Sequence, residues 1–164
     1  MATPTNLPST FATGEVLTAS QMNALRGAFR ILQVVSGSTT TQFTSSSSSY
    51  ATIGLTASIT PQSNSSKILV MAHIGGVNKQ SSNTGLNLSL YRNGSSLSFF
   101  GARVGFDSSA NEVNVDASCV FFDSPNTTSS TTYAIFGASS ANSGFALAQH
   151  QGANSTIILC EVSA

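Results

Sequence analysis

From Ile31 onward the apolar residues recur with a period of two, and this restricts the fold more than any other feature of the chain. Ile53, Leu55, Ala57 and Ile59 alternate with Thr52, Gly54, Thr56 and Ser58. Leu86, Leu88 and Leu90 repeat the pattern, and Val113, Val115, Ala117, Cys119 and Phe121 extend it furthest. Neighbouring side chains of a strand point to opposite faces, so each run reads as a strand with one face buried. ILQVV, TTYAIFGA and the closing TIILCEV are further strands, and Gly144 to Ala148 is another candidate. Lys67 to Ile74 is apolar at every position except Lys67 and His73, which predicts a strand covered on each side.

The separators agree with that reading. Asn93-Gly94 lies between an alternating run and SSLSFF, and both residues tolerate positive φ, so the segment predicts a tight hairpin. Pro61 to Ser66 and Asp123 to Ser130 are turns, and Thr39 to Ser49 is a Ser/Thr-rich loop or irregular edge strand. About eight or nine short strands result, with no helical crossover between them. Parallel βαβ units are therefore excluded, and a mainly β antiparallel sandwich or jelly roll is expected, with one short N-terminal helix.

That helix is predicted within residues 1–30, ahead of a β domain spanning 31–164. Residues 1–14 contain Pro4 and Pro8 and no period, as an extended arm would. Thr18 and Gln21 then form a capping box, and Leu17 and Met22 are placed for a hydrophobic staple. Met22, Leu25, Phe29 and Leu32 follow at spacings of 3, 4 and 3, a seam that suits packing against a partner helix. The same stripe suits a single amphipathic helix lying on its own domain, and less than two heptads does not separate the two.

Composition narrows the function. Only 7% of residues are charged, six basic against six acidic, where a soluble domain has about 25%. Such a chain has no electrostatic footprint for phosphate backbones, so nucleic acid is not an expected partner. No apolar run reaches the roughly 18 residues of a membrane span. Met1 to Phe11 has neither a basic region nor an apolar core, so no secretory signal is expected, and Cys119 and Cys160 read as reduced core residues. Roughly three residues in ten are Ser or Thr, giving a polar but nearly uncharged surface.

Enzyme chemistry is not legible. His73 and His150 lack metal-ligand spacing, and no G-x-S-x-G elbow supports a triad among the many serines. Gly75-Gly76 lacks the glycine and lysine spacing of a phosphate loop, and the acids are scattered singly. No catalytic residue, cofactor or metal is expected.

Several strands are apolar on both faces. Ile157, Ile158 and Leu159 are consecutive, and Phe99-Phe100 and Phe121-Phe122 are adjacent, so one member of each must leave the core. A subunit interface covers such residues, and Phe100, Phe122 and Ile158 are the candidates. Half-exposure of one residue in each group is the simpler alternative.

Two stretches carry a resemblance. FATGEVLTASQMNAL, with Phe11, Gly14, Glu15, Val16, Leu17, Thr18, Ala19 and Asn23 in place, is similar to the opening segment of many phage tail-associated and fibre proteins. SNSSKILVMAHI, LYRNGSSL, FFDSPNTTSSTTYAIF and STIILCEV resemble the small trimeric jelly rolls, similar to the tumour necrosis factor fold, on phage fibres and heads. The resemblance covers Phe11 to Val162 and brings no catalytic or ligand residues. It implies a homotrimeric virion protein, assembled in the host cytoplasm and docked on other tail or capsid proteins. Leu17, Met22, Leu25, Phe29 and Leu32 would then carry the anchoring contact.

Two roles follow from it. A short tail fibre would present polar loops to the host surface, where a neutral glycan is a candidate partner. Asn78, Ser81, Asn83, Asp107, Asn111 and Asn142 are the loop residues chosen for that contact. A capsid decoration protein would instead clamp neighbouring capsomers through the arm. The opening motif favours the fibre, which is the leading expectation, and the modest length favours decoration.

Overall fold

The computed structural model describes Gly14, Val16 and residues 31–109, 112–142 and 144–163. The expected arm and capped helix, with Leu17, Met22, Leu25 and Phe29, lie outside the described residues, as does Asn111. Leu32 is described, and it is not helical: it belongs to β1 (Ile31–Thr39). The strand period already begins at Ile31, so Leu32 cannot extend the helical seam.

After β1 come β2 (Phe43–Ser45), β3 (Ala51–Ile59), β4 (Lys67–Lys79) and β5 (Thr84–Arg92). β6 (Ser95–Asp107), β7 (Val113–Asp123), β8 (Thr131–Ser139), β9 (Ala146–Ala148) and β10 (Ser155–Val162) complete the strands, with one 3-10 turn at His150–Gly152. All pairings are antiparallel. One sheet, here sheet A, has six strands: the path β1-β10-β4-β9-β2, with β7 on the other edge of β4. The second, sheet B, has four, in the order β3-β8-β5-β6. Strands adjacent in sequence mostly alternate between sheets, and the two sheets pack face to face as a jelly-roll sandwich.

The alternation fixes which residues meet between the sheets. Ile53, Leu55 and Ile59 of β3, with Leu86, Leu88 and Leu90 of β5 and Tyr133 and Ile135 of β8, come from sheet B. Ile68, Val70 and Ile74 of β4 and Ile157 and Leu159 of β10 come from sheet A. Each fully buried Leu or Ile removes enough apolar surface to contribute about 1.5–3 kcal/mol. β4 corrects one expectation. As far as Ile74 its even-numbered residues face the core, but Leu69 and Met71 are only half-buried and His73 is exposed. Its neighbours β7 and β10 lie beside it in the sheet, and no second layer covers its outer face among the described residues.

Two glycines are required by contact. A Cβ on Gly37 would stand 2.0 Å from the Thr56 carbonyl oxygen, where β1 passes β3. Gly76 sits at a bulge in β4 with φ of +60°, and a Cβ there would lie 2.8 Å from the His150 nitrogen. The Gly75-Gly76 pair thus serves close packing under the 3-10 turn.

Candidate functional site

The two outward faces of the sandwich differ in chemistry. On sheet A, the pairing aligns Ser36, Ile158, Met71 and Val120 in one row across β1, β10, β4 and β7. The next row is Val34, Cys160, Leu69 and Phe122. Val34 is 57% exposed, Val120 74% and Phe122 57%, so the face is apolar and largely uncovered. A shallow depression of about 260 Å³ lies across it, lined among others by Met71, Val120 and Ile158. Polar groups mark the ends of the patch: Ser38, Thr156, His73 and Ser118 on one side, Lys67 on the other. His73 Nε2 lies 3.9 Å from Asp116 Oδ2, and Lys67 Nζ donates to Ser124 Oγ at 2.8 Å.

On sheet B, the central row is Thr52, Phe136, Ser89 and Phe99. Tyr91 stacks on Phe136 with ring centroids 4.0 Å apart and planes at 19°, and Tyr50 tilts against Tyr91 at 6.4 Å. Ser89 lies between Phe136 and Phe99, and its hydroxyl bonds the Ser98 carbonyl at 2.9 Å and Ser96 Oγ at 3.2 Å. Burial and the neighbouring Tyr91 phenol push the Tyr50 phenol above its ordinary pKa. Ser58 Oγ and Thr132 Oγ1, 2.8 Å apart, add hydroxyls to the same face. Farther along β6, the Arg103 guanidinium lies 3.6 Å above the Phe106 ring.

At one end of the sandwich, three polar loops converge on a buried lysine. Lys79 is fully buried at the end of β4, and its Nζ donates to the carbonyls of Ser109 at 2.6 Å, Asp107 at 3.1 Å and Ser81 at 3.5 Å. Asn83 N–H donates to the Asp107 carbonyl, and Phe145 N–H donates to Ser81 Oγ. Gly85 N–H donates to Ser140 Oγ, which brings in the loop after β8. At the other end, Asp123 closes β7 against sheet B: it accepts from Arg92 at 2.8 Å and from the Tyr133 hydroxyl at 2.6 Å. Burial, then the Asp123 hydrogen bond and charge, raise the Tyr133 phenol far above its ordinary range. Glu161 is fully buried and accepts from Gln33 Nε2 at 2.6 Å and the Gln62 N–H at 2.7 Å. Burial pushes its carboxyl up, but these and neighbouring hydrogen bonds outweigh it and hold the pKa below the usual value.

The residues singled out from sequence fall in different places. Phe122 and Ile158 lie on the outer face of sheet A. Phe100 does not point outward: it packs against the core, and Phe99 is the exposed member of the pair at 55%. Irregular pairing of β6 with β5 sets this phase, which alternation alone does not give. Asn78 is no loop residue either. It is buried in β4 and donates to Asn114 Oδ1 at 2.6 Å. Ser81, Asn83 and Asp107 are brought together around Lys79, while Asn142 lies exposed in the turn after β8.

Val34, Leu69, Met71 and Val120 were missed, although each is an apolar residue out of phase with the core residues of its strand. Tyr91 and Phe136 carry the same signal, but their stacking needs two strands that are far apart in sequence. Cys119 and Cys160 are free thiols, and burial raises the pKa of Cys119. Among the described residues, no group of three or more His, Cys, Asp or Glu side chains could hold a metal. None of their helices is long and apolar enough to cross a membrane.

No family model matches the chain, and no curated protein matches it. Among solved structures, it is similar to a mutant VP2 protein of infectious bursal disease virus in T=1 particles, with a TM-score of 0.43 and 13% identity. That match covers 80% of this chain and 38% of the VP2 chain, so this chain spans well under half of its neighbour. It is also similar to dimeric latent PorU from Porphyromonas gingivalis, with a TM-score of 0.34 and 12% identity over 81% of this chain and 13% of PorU. At these low scores neither neighbour bears on function.

Proposed function

We propose that this chain is a non-enzymatic structural subunit of a phage virion, a homotrimer that closes through the outer face of sheet A. The uncovered apolar patch of Val34, Leu69, Met71, Val120, Phe122 and Ile158 carries the reading. A monomer of near-zero net charge with such a face would self-associate without limit, whereas a closed symmetric assembly buries the face and stops. Threefold symmetry and the virion setting come from the resemblance of residues 11–25 and of the β domain to phage proteins. The specific role is a short tail fibre that attaches to the host surface, anchored by the N-terminal segment.

Two measurements test it. Light scattering of the purified chain should give three times the subunit mass, and a monomer or dimer overturns the trimer. Quantitative mass spectrometry of phage particles against the major capsid protein should give a few trimers per particle. A copy number comparable with the capsid protein would make it a decoration protein, and absence from particles would refute the virion role. Leu25→Asp with Phe29→Asp should release the protein from particles while the β domain stays folded.

A further inference from the structure

The outer face of sheet B has the wrong chemistry for a second copy of itself and the right chemistry for an uncharged sugar. A hexopyranose presents an apolar face of C–H groups edged by hydroxyls, so it is recognised by flat aromatic rings bordered by donors and acceptors. Sheet B offers that combination: the Tyr91–Phe136 stack, Tyr50 beside it, and Phe99 across the Ser89 position. The ring set is preorganised, because Tyr91 and Phe136 hold one another in place. Among the described residues, no hydrogen bond occupies the phenol oxygen of Tyr50 or Tyr91, so each can donate to or accept from a ligand hydroxyl. Thr52, Ser58 and Thr132 extend the hydroxyl frame along β3 and β8.

Charge argues the same way. The rows through Thr52, Phe136, Ser89 and Phe99 and through Ala134 and Tyr91 contain no ionisable acid or base other than the phenol. Nothing in them would select a carboxylated or phosphorylated sugar. The opposite face of the sandwich has no aromatic stack among the described residues, and its paired Ser38 and Thr156 hydroxyls lie two rows away from the Phe122 ring, so it does not combine the two groups.

We infer that the Tyr50–Tyr91–Phe136–Phe99 face of sheet B binds a neutral glycan by ring stacking. This rests on the attachment reading and moves the host contact from the loops at one end to the broad side of the sandwich.

The test uses the whole chain with maltotriose, chitotriose and lactose as neutral probes and sialyllactose as the acidic one. The chain has no Trp and three Tyr, and Tyr133 is buried, so Tyr50 and Tyr91 dominate any ligand-induced change in emission. Saturation-transfer NMR should show contact with at least one neutral probe, with a matching change in tyrosine emission. Phe99→Ser and Tyr91→Ser should each weaken that binding at least tenfold. Phe99 is half exposed, so Phe99→Ser keeps the fold and separates lost binding from lost structure. Transfer from none of the neutral probes, preference for sialyllactose, or undiminished binding by Phe99→Ser would each overturn the inference. Copy number in phage particles reads the attachment role separately, so failure of the glycan site and failure of that role are distinguishable.

Discussion

The row Ser36–Ile158–Met71–Val120 on sheet A and the row Thr52–Phe136–Ser89–Phe99 on sheet B occupy equivalent positions on opposite sides of one sandwich. Both are made of residues out of phase with the core. The first is aliphatic with its hydroxyls pushed to the ends, and the second alternates rings with hydroxyls. Aliphatic side chains gain only by leaving water, so they favour a large, dry, self-complementary contact. Rings framed by hydroxyls keep directional groups at the surface and suit a small polar ligand. One backbone geometry thus carries two surfaces of different chemistry, and strand phase decides which residue goes to which.

The largest expected effect breaks this contrast at sheet A. Val120→Glu with Phe122→Glu places two charges on the apolar face and should convert the proposed trimer wholly to monomer in light scattering. Phe99→Ser on sheet B should leave the mass unchanged. If both variants dissociate, or neither does, the division of labour is wrong.

A smaller effect lies where the two sheets are tied together. Asp123→Asn leaves Arg92 without its carboxylate and weakens the Tyr133 bond, and should cost about 3 kcal/mol in denaturant unfolding. Asp116→Asn, at an exposed 3.9 Å contact with His73, should change stability by under about 0.5 kcal/mol. An equal loss in the two variants would remove the claim that the inter-sheet tie holds the faces in place.

Next is Lys79→Met, which keeps the buried stem and leaves three carbonyls without their shared donor. It should destabilise by about 2 kcal/mol and speed amide exchange at Asn83 and Ser109. Unchanged exchange there would mean that the loops hold themselves.

The smallest effect is one of pH. The folded Glu161 carboxyl has its pKa below the ordinary value of 4.5, so it favours folding most above that pH. That contribution is lost as pH falls through the lower folded value. Glu161→Gln should therefore flatten the acid limb of the stability profile, and an unaltered limb would assign it to other groups.

Much of the sandwich was legible because alternation is a local property. The burial of Ile53, Leu55, Ala57 and Ile59 follows their period, and Asn93-Gly94 turns where both residues have positive φ. Where the ladder is irregular the sequence misled: bulges in β6 put Phe100 inside and Phe99 outside. Asn78 reads as a loop residue because it is polar, yet β4 runs on through the Gly75-Gly76 bulge to Lys79 and buries it.

By itself, then, the sequence determined the strands, their turns and the fact that some apolar residues must face away from the core, since each follows from period and residue type within a few positions. The tertiary structure alone decided which of those residues share a face. β1, β10, β4 and β7 are scattered along the chain, and only their pairing gathers Val34, Ile158, Met71 and Val120 into one patch. The same holds for Lys79 and Asp123, whose partners lie far off in sequence: hydrogen bonds and ring stacks act over a few ångströms, and the fold sets those distances.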